Sequence, residues 1–472
     1  MLSVFLIAGS ALALNPISTT AGFGGVADPH VHFFGDRFYL YTTHDFSAED
    51  RGFKNLDWRV FSSPDLLTWL LESTLLPNAT PAAPGDYSTC WATDAAAGAD
   101  GAFYFYLSLG ANQIGVMRGA TPVGPWEDPL GTPLINRTLG ASLHTEARDP
   151  CLFVDDDGTP YLIFGTFNYY IARLGADMVS LAEAPRPVAI AAAGGGPATS
   201  QNGVGVLDDK PFLHKKGGAY YFSFGGFYGV GAAPYGPFFQ RDPTWVDPAS
   251  IAPDLFLNGT SGPCWCQQVN FNDRHGSFFS AHGQDYWSSN DRSHSADPYN
   301  TNAYRDTILT YVHYFGNGSI APVVINTTGV GSYMAAHGVE AENFFKLRGP
   351  GRKVHDIEGH TFAMTGLVAG ASALYFPHVR GAGRAARVAL RVRAGAGAGA
   401  AGARAVLSLG EGGGGPPLCS VALAPLAVAG EGWVELHCEG WGATPTPEDP
   451  SVTLTVDGGA TGGVSFDRIS FL

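Results

Sequence analysis

The sequence predicts an all-β protein in which a five-bladed β-propeller precedes a β-sandwich of the jelly-roll type. The main observation is a glycine turn followed three residues later by an aromatic residue, which occurs five times at roughly even spacing. These pairs are Gly35 and Phe38, Gly101 and Tyr104, Gly158 and Tyr161, Gly217 and Tyr220, and Gly283 and Tyr286. With 63 Gly, 32 Pro and only 15% charged residues, the composition also favours short strands joined by turns.

Each glycine turn separates a short apolar run from a β-rich run, such as FYLYTT after the first turn and FYFYLS after the second. The repeat is too long for a helical solenoid, and it exceeds the WD-type blade of about 40–45 residues, so a structural scaffold of that type is disfavoured. One blade cannot bury both of its faces. We therefore expect five blades to pack around one axis over residues 24–334.

A polar side chain lies seven to nine residues before each glycine turn. These residues are Asp28, Asp94, Asp149, Asp209 and His275. If the inner strands surround one axis, residues at the same phase of each strand meet near one mouth of that axis. A single aspartate in such a place would more often cap a strand, but four of them favour a functional site.

Residues 1–20 are predicted to form a secretory signal peptide. The run LSVFLIAGSALAL is too short to span a bilayer and ends in the small residues of Ala11-Leu12-Ala13. The run lacks the basic residues with which a signal peptide usually begins. The alternative interpretation is an apolar first strand. Five glycosylation sequons fit a secreted glycoprotein, and they begin at Asn78, Asn136, Asn258, Asn317 and Asn326.

Residues 338–472 differ in character from the repeats. Alternating apolar runs, from ALYFPHV to VSFDRISFL, predict a second all-β domain, the sandwich. Cys419 and Cys438 lie in neighbouring β-like runs and could form a disulfide across it. Cys90 and Cys151 are interpreted as buried thiols. Since there is no C-x-x-C pair, a structural zinc site is not expected.

The charge of the chain limits its partners. A net charge of -15 and a pI near 5.3 argue against nucleic acid and anionic membranes as partners. Beyond the N-terminal apolar run, no segment is apolar enough to cross a membrane. A neutral oligo- or polysaccharide is a more natural ligand, and we expect no organic cofactor.

A group of acids at one mouth suits the hydrolysis of a glycosidic bond. That reaction needs one carboxyl group to protonate the leaving oxygen and a second to activate water or attack directly. A third carboxylate nearby raises the pKa of the acid by like-charge repulsion.

Several segments resemble the blade motifs of glycoside hydrolase family 43. They are ADPHVHFFGDRFYLYTTHD, SSPDLLTW, CWATDA, RDPCLFVDDDGTPYLIFG, DDKPFLHKKGGAYYFSFG and RHGSFF. The resemblance, over about residues 26–330, implies that Asp28 is the general base and that Asp149 tunes the pKa of the acid. It places the general acid at Asp209, where the family usually has Glu in an E-G-P setting, and aspartate is one methylene shorter. Asp208 is an adjacent alternative, but it would point to the opposite face of a strand.

The resemblance also suggests residues that bind substrate or metal. Substrate-contacting candidates are Trp91, Asp94, Phe167, Phe227 and Arg305. His275 is expected to face a central calcium or sodium ion, largely through water. The second domain resembles a family 6 carbohydrate-binding module, which implies a structural calcium at Glu340, Glu342 and Asp467.

These inferences together predict a secreted, inverting, exo-acting glycosidase for glycans that contain arabinose, xylose or galactose. One alternative is a glycan-binding protein without activity, which the aspartate at position 209 suggests. Another is a propeller fructosidase, because Arg148-Asp149-Pro150 resembles an R-D-P motif of that group, although its W-x-N-D-P-N-G opening is missing.

Overall fold

The structure is a computed structural model. It describes residues 15, 17, 24–47, 49, 53–82, 87–191, 210–224, 227–240, 275–291, 304–321, 323, 329–356, 361–394, 402–423, 432–458 and 464–472. Asp209 and the stretch 1–14 lie outside these ranges, as do the sequons at Asn258 and Asn326.

Antiparallel sheets dominate the described residues, and they follow one another along the chain in the order that the repeats predict. The first sheet contains β1 (Val26–Phe34), β2 (Arg37–Asp45), β3 (Asn55–Ser63) and β4 (Leu70–Leu75). The second contains β5 (Cys90–Ala97), β6 (Phe103–Leu109), β7 (Ile114–Gly119) and β8 (Trp126–Glu127). The third contains β9 (Cys151–Val154), β10 (Pro160–Phe164), β11 (Tyr170–Arg173) and β12 (Arg186–Pro187). In each of them the strands pair in sequence order.

The fourth and fifth sheets depart slightly from this scheme. The fourth contains β13 (Ile190–Ala191), β14 (Pro211–Lys216), β15 (Ala219–Phe224), β16 (Phe227–Gly231) and β17 (Phe238–Gln240). Its strand β13 pairs in parallel with β17 at the outer edge. The fifth contains β18 (Phe278–Ala281), β19 (Gln284–Asp291) and β20 (Asp306–Tyr311). The glycine turns lie between the first and second strands of the sheets, where Gly35, Gly101 and Gly158 adopt positive φ.

The remaining strands form two further sheets and a short parallel pair. The pair is β21 (Tyr333–Met334) with β27 (Val379–Arg380). One sheet contains β22 (Val339–Glu340), β24 (Arg352–Asp356), β25 (Thr361–Thr365), β28 (Val388–Ala394), β31 (Trp433–His437) and β33 (Val464–Phe471). The other contains β23 (Lys346–Arg348), β26 (Ala373–Phe376), β29 (Arg404–Leu409), β30 (Pro417–Ala422) and β32 (Val452–Asp457).

Helices are few and short in the described part of the chain. The α-helix α1 spans Arg137–Ser142, and the side chain of Asn136 caps it by accepting a hydrogen bond from the Leu139 N–H. Single 3₁₀ turns lie at Pro77–Ala79, Ala335–His337, Ala341–Asn343, Ala382–Arg384 and Glu411–Gly413. None of the described helices has the length and apolar character of a membrane span.

The chain divides into two compact units. The first contains Met1–Gln240, Cys266–Ser277 and Ser288–Leu309, and the second contains Arg241–Trp265, Phe278–Trp287 and Thr310–Leu472. Within the first unit, neighbouring sheets share cores. Trp58 of the first sheet belongs to one cluster with Phe105 of the second, and Tyr106 of the second to another with Leu162 of the third.

The first strands of successive sheets are linked directly. The Leu152 N–H donates to Asp94 Oδ2 (2.7 Å), which joins β9 to β5. The Leu213 N–H donates to Cys151 Sγ (3.3 Å), which joins β14 to β9. The Val31 N–H donates to Ser277 Oγ (2.8 Å) and brings the series back to β1.

The second unit has its own hydrophobic core, to which both of its larger sheets contribute. Leu374 and Leu407 come from one sheet, and Leu390 and Phe466 from the other. In the same unit, Gln284 Nε2 donates to the carbonyl oxygens of Glu342 (2.9 Å) and Phe344 (2.8 Å).

The cysteine predictions are confirmed for the residues that the structure describes. Cys419 and Cys438 form a disulfide. Cys90 and Cys151 are free and buried. Burial raises the pKa of the Cys90 thiol to about 12, so it is not a nucleophile at neutral pH.

Candidate active site

Three residues enter the first strands of their sheets with the same unusual backbone. Asp28, Asp149 and Lys210 have φ values of 52°, 57° and 70°, and each immediately precedes a proline. Positive φ is uncommon for residues other than glycine and persists only where surrounding structure imposes it. In β1 this conformation coincides with a register shift between Ala27 and His30. The backbone equivalence shows that Asp28, Asp149 and Lys210 occupy the same phase of sheets one, three and four.

Asp28 and Asp149 are two of the predicted residues, whereas Lys210 is not. Asp209 precedes Lys210 by one residue and lies outside the described residues. Asp94 lies in the middle of β5, opposite Tyr106, and is not among the residues with positive φ.

Asp28 is held by side chains that lie far away in the sequence. Its Oδ1 accepts hydrogen bonds from Arg305 Nη1 (2.6 Å) and Asn290 Nδ2 (3.0 Å), and His275 Nδ1 lies 3.4 Å away. The Asp28 N–H donates to Asn290 Oδ1 (2.8 Å). Every contact that the structure describes for this carboxylate therefore involves Oδ1.

The surroundings of Asp28 keep its carboxylate ionised. Burial alone would raise its pKa, but Arg305, His275, the Asn290 hydrogen bond and Lys210 together lower the pKa below the ordinary value. A carboxylate that stays charged at neutral pH while only 4% of the residue is exposed suits a general base.

Asp149 lies where the second, third and fourth sheets meet. Its N–H donates to Ser108 Oγ (2.9 Å), and its Oδ2 accepts the backbone N–H of Lys210 (3.3 Å). Arg148 Nη1 lies 3.8 Å from the same oxygen. Since Lys210 also acts electrostatically on Asp28, the structure brings Asp28, Asp149 and Lys210 into one region.

Asp94 has a role different from the predicted contact with substrate. It has no exposed surface. Its oxygens accept hydrogen bonds from His32 Nε2 (2.6 Å), the Leu152 N–H (2.7 Å) and the Ala95 N–H (2.8 Å). His30 Nδ1 lies 3.0 Å away, although poorly aligned for a hydrogen bond. Burial opposes the charge, but His30 and His32 hold the pKa of Asp94 well below its usual range. We therefore assign Asp94 to orienting these histidines.

The aromatic candidates have different surroundings. The Trp91 indole N–H donates to the Phe53 carbonyl (3.0 Å), and the Arg148 guanidinium lies 5.2 Å from the centre of the Trp91 ring. The Arg305 guanidinium lies 5.2 Å from the centre of the Phe53 ring. Trp91 and Phe53 thus connect the surroundings of Asp149 with those of Asp28. Phe167 is 50% exposed with φ of 61°, and the side chain of Phe227 lies outside the described residues.

Arg305, a predicted substrate contact, is buried. It is 4% exposed and bridges Asp28 and Asp45. We call Asp28, Asp45 and Arg305 the base cluster.

The predicted metal ligands have protein partners in the structure. In the part of the chain that the structure describes, no three His, Cys, Asp or Glu side chains come together so that they could hold a metal ion. His275 Nδ1 lies 3.4 Å from Asp28 Oδ1, and the central ion expected at His275 stays a prediction. We call Glu340, Glu342 and Asp467 the acidic trio. In it, Arg468 Nε donates to Glu340 Oε1 (2.7 Å) and Arg391 Nη1 to Asp467 Oδ2 (2.8 Å). Oε2 of Glu340 and Oε2 of Glu342 are buried without a hydrogen-bond partner among the described residues, and the structural calcium stays a prediction.

Sequence reasoning missed four residues of this site: Asp45, Phe53, Lys210 and Asn290. The sequence could have identified Lys210, because Asp28, Asp149 and Lys210 all precede proline. The other three have no local signal, because they reach Asp28, Arg305 or Trp91 only through the tertiary fold.

Buried, cation-paired carboxylates gathered where the first strands of successive antiparallel sheets meet define an all-β enzyme of the glycoside hydrolase class. Residues 14–320 match Glycosyl hydrolases family 43, and the chain belongs to this family. The resemblance seen in the sequence is confirmed at this level, and the fructosidase alternative is excluded.

Proteins similar to this chain are glycosidases. It is 31% identical over 337 residues to the β-D-galactofuranosidase xynD of Aspergillus niger, covering 68% of this chain and 89% of that protein. Among solved structures, a family 43 arabinoxylan arabinofuranohydrolase from Bacillus subtilis in complex with cellotetraose has a TM-score of 0.51 at 22% identity, covering 94% of this chain and 95% of that one.

A second solved structure is a family 43 β-xylosidase/α-arabinofuranosidase from a compost metagenome, with xylotriose and in a calcium-free form. Its TM-score is 0.52 at 24% identity, covering 67% of this chain and 98% of that one. At these identities the two structures show a shared fold, which is all-β and of the propeller type.

Proposed function

We propose that this protein is an inverting, exo-acting glycosidase that removes arabinofuranosyl, xylosyl or galactofuranosyl residues from oligo- or polysaccharides. The observation that carries the proposal is the arrangement of Asp28. Its Oδ1 is occupied by Arg305 and Asn290, and its pKa is lowered, so that Oδ2 is left to act on a water molecule.

In the proposed reaction, Asp28 takes a proton from water as the water attacks the anomeric carbon. Asp209 gives a proton to the leaving oxygen on the opposite face of the sugar, and Asp149 raises the pKa of that acid. Inversion requires the base and the acid to lie roughly 6.5–9.5 Å apart so that the water fits between them. Trp91, Phe53 and Phe167 supply aromatic faces of the kind that stack on sugar rings.

The sugar class follows from similar proteins. The relative from A. niger is a β-D-galactofuranosidase, and the two solved structures act on arabinofuranosyl or xylosyl substrates by name.

The proposed architecture is a five-bladed propeller over residues 24–334 with a jelly-roll sandwich over 338–472 that resembles a family 6 carbohydrate-binding module. The five consecutive sheets and the core shared by the two C-terminal sheets support it. The B. subtilis structure supports it as well, because its likeness covers 94% of this chain.

We also propose secretion, with residues 1–20 as a signal peptide. The described sequon residues Asn78, Asn136 and Asn317 are exposed, as the attachment of glycans in a secretory pathway requires.

The test is the activity of the wild type and of Asp28→Asn on 4-nitrophenyl α-L-arabinofuranoside, β-D-xylopyranoside and β-D-galactofuranoside. We expect Asp28→Asn to lower kcat about 10²–10⁴-fold, the usual contribution of a general base. Asp100→Asn, which changes an exposed carboxylate paired with Arg118, is the matched control and should retain activity. The first anomer released, read by ¹H NMR, should have the opposite configuration to the substrate.

Two results would contradict the proposal. An Asp28→Asn variant as active as the wild type would remove Asp28 from the base role. A wild type as inactive as Asp28→Asn on all three glycosides, with binding retained, would favour the glycan-binding alternative.

A further inference from the structure

Arg305 is clamped by an acidic side chain outside the predicted site. Its backbone N–H and its Nε donate to Asp45 Oδ2 (2.7 and 3.0 Å), and its Nη2 donates to Asp45 Oδ1 (2.8 Å). Two parallel hydrogen bonds between a guanidinium and a carboxylate fix the plane of the guanidinium. Only Nη1 is directed to Asp28 Oδ1 (2.6 Å).

Asp45 is itself fixed in place. It ends β2, next to a register shift between Thr43 and Asp45 in the pairing with β3. Asn55 Nδ2 donates to its Oδ1 (2.7 Å), and its own N–H donates to the Gly25 carbonyl (2.9 Å). Both carboxylate oxygens of Asp45 are therefore engaged by protein groups, and Arg305 links Asp45 to Asp28 by hydrogen bonds.

The hydrogen bonds between Asp45 and Arg305 determine how the guanidinium approaches Asp28. A free guanidinium beside a single carboxylate tends to pair with both of its oxygens. Such a pair would occupy Asp28 Oδ2, the atom that the proposed reaction needs for water. Asp45 fixes the plane of the guanidinium through Nε and Nη2, and in this orientation a single Arg305 nitrogen, Nη1, donates to Asp28.

We propose that Asp45 is a positioning residue for the catalytic base, which holds Arg305 so that a single N–H reaches Asp28 and the second carboxylate oxygen stays available to water. The inference depends on the proposed function, since it assigns a support to the base named there. It gives Asp45 no contact with substrate.

The test is Asp45→Asn, assayed on the 4-nitrophenyl glycoside that the wild type cleaves fastest. We expect kcat to fall about tenfold to a hundredfold, the scale of a small misplacement of a reacting group, while KM changes less than threefold. The freed guanidinium pairs with both oxygens of Asp28, and a nearby negative charge is lost. Both changes lower the pKa of Asp28.

The pH profile separates this effect from a general loss of structure. The acidic limb of kcat/KM should move to lower pH in Asp45→Asn although kcat falls. The charged and titratable groups that act on Asp28 are Arg305, His275, Lys210 and Asp45, and the substitution changes only Asp45. Asp57→Asn is the matched control, because Asp57 also pairs with an arginine (Arg59, 3.0 Å) and a histidine (His44, 3.0 Å). It should leave the acidic limb in place.

Asp45→Glu serves as a second variant because it keeps the charge while displacing the clamp by one methylene. It should lose less activity than Asp45→Asn, and its acidic limb should stay near that of the wild type. Asp28→Asn is measured in the same series. If Asp28→Asn is inactive while Asp45→Asn has wild-type kcat and an unmoved acidic limb, the positioning role proposed for Asp45 is contradicted. If Asp28→Asn is active, the proposed function itself is wrong.

Discussion

The base cluster and the acidic trio are both buried groups of acids with arginine partners, but they balance charge differently. In the base cluster, Arg305 lies between Asp28 and Asp45, and its side chain is 5% exposed. In the acidic trio, the side chain of Arg468 is 41% exposed and that of Arg391 is 37% exposed, and they reach Glu340 and Asp467 from outside. The inner member, Glu342, is 5% exposed, and its Oε2 has no hydrogen-bond partner among the described residues.

The pKa values of Asp28 in the base cluster and of Glu342 in the acidic trio shift in opposite directions. The buried cation lowers the pKa of Asp28 against the effect of burial. Burial, together with Glu340 and Asp467, raises the pKa of Glu342 well above its ordinary value. Arg305, together with His275, Asn290 and Lys210, outweighs burial at Asp28, whereas burial outweighs Arg305 at Asp45 and raises the pKa of that carboxyl group.

The largest effect on stability is expected when the central cation, Arg305, is removed. Arg305→Met leaves Asp28 and Asp45 buried without their partner and should destabilise the protein by about 3–5 kcal/mol. Arg468→Met is the matched substitution in the acidic trio and should cost about 1 kcal/mol or less, since solvent screens that pair. Urea unfolding of both variants measures the difference, and equal losses would contradict the comparison.

The next effect concerns the pH dependence of stability. A folded-state pKa above the unfolded value of about 4.3 means that the native state binds the proton more tightly. The contribution of Glu342 is therefore fully present below pH ~4.3 and is lost as the pH rises toward its folded pKa. Each unit of the raised pKa corresponds to about 1.4 kcal/mol.

Glu342→Gln mimics the protonated acid and removes this dependence. Its free energy of unfolding should exceed that of the wild type at pH 8 and should match it at pH 4. Glu448→Gln, at an exposed ion pair with Arg384, is the control and should leave the pH dependence unchanged. A Glu342→Gln variant with a stability profile parallel to that of the wild type would contradict the assignment.

The smallest effect concerns Lys210, the second cation near the base. Lys210→Met removes the charge but keeps a side chain at the same positive φ. Because Lys210 helps to lower the pKa of Asp28, its loss should raise that pKa and move the acidic limb of kcat/KM to higher pH. The shift should be smaller than that from the loss of Arg305, which ranks before it among the causes. Lys346→Met, at an exposed ion pair with Glu411, should leave the limb unmoved.

Much of this protein follows from sequence alone. The recurring glycine turns predict successive antiparallel sheets because a tight turn with positive φ and a following aromatic strand are local requirements, read from a few adjacent residues. The family follows in the same way from contiguous motifs around Asp28, Asp149 and Asp209, and the pairing of Cys419 with Cys438 from neighbouring β-like runs. Such features depend on short-range geometry, which the order of residues specifies directly.

Only the tertiary structure decided the electrostatics. Asp28 and Arg305 come from opposite ends of the series of repeats, and Asp45 shows no feature that marks it as a clamp. Asp94 resembled Asp28 in sequence but is enclosed by two histidines, and the acidic trio, which resembled a calcium site in sequence, also faces arginines. The charge of a buried carboxyl group depends on which distant cation lies within a few ångströms and on how much water is excluded. Neither quantity is encoded in any local pattern of residues.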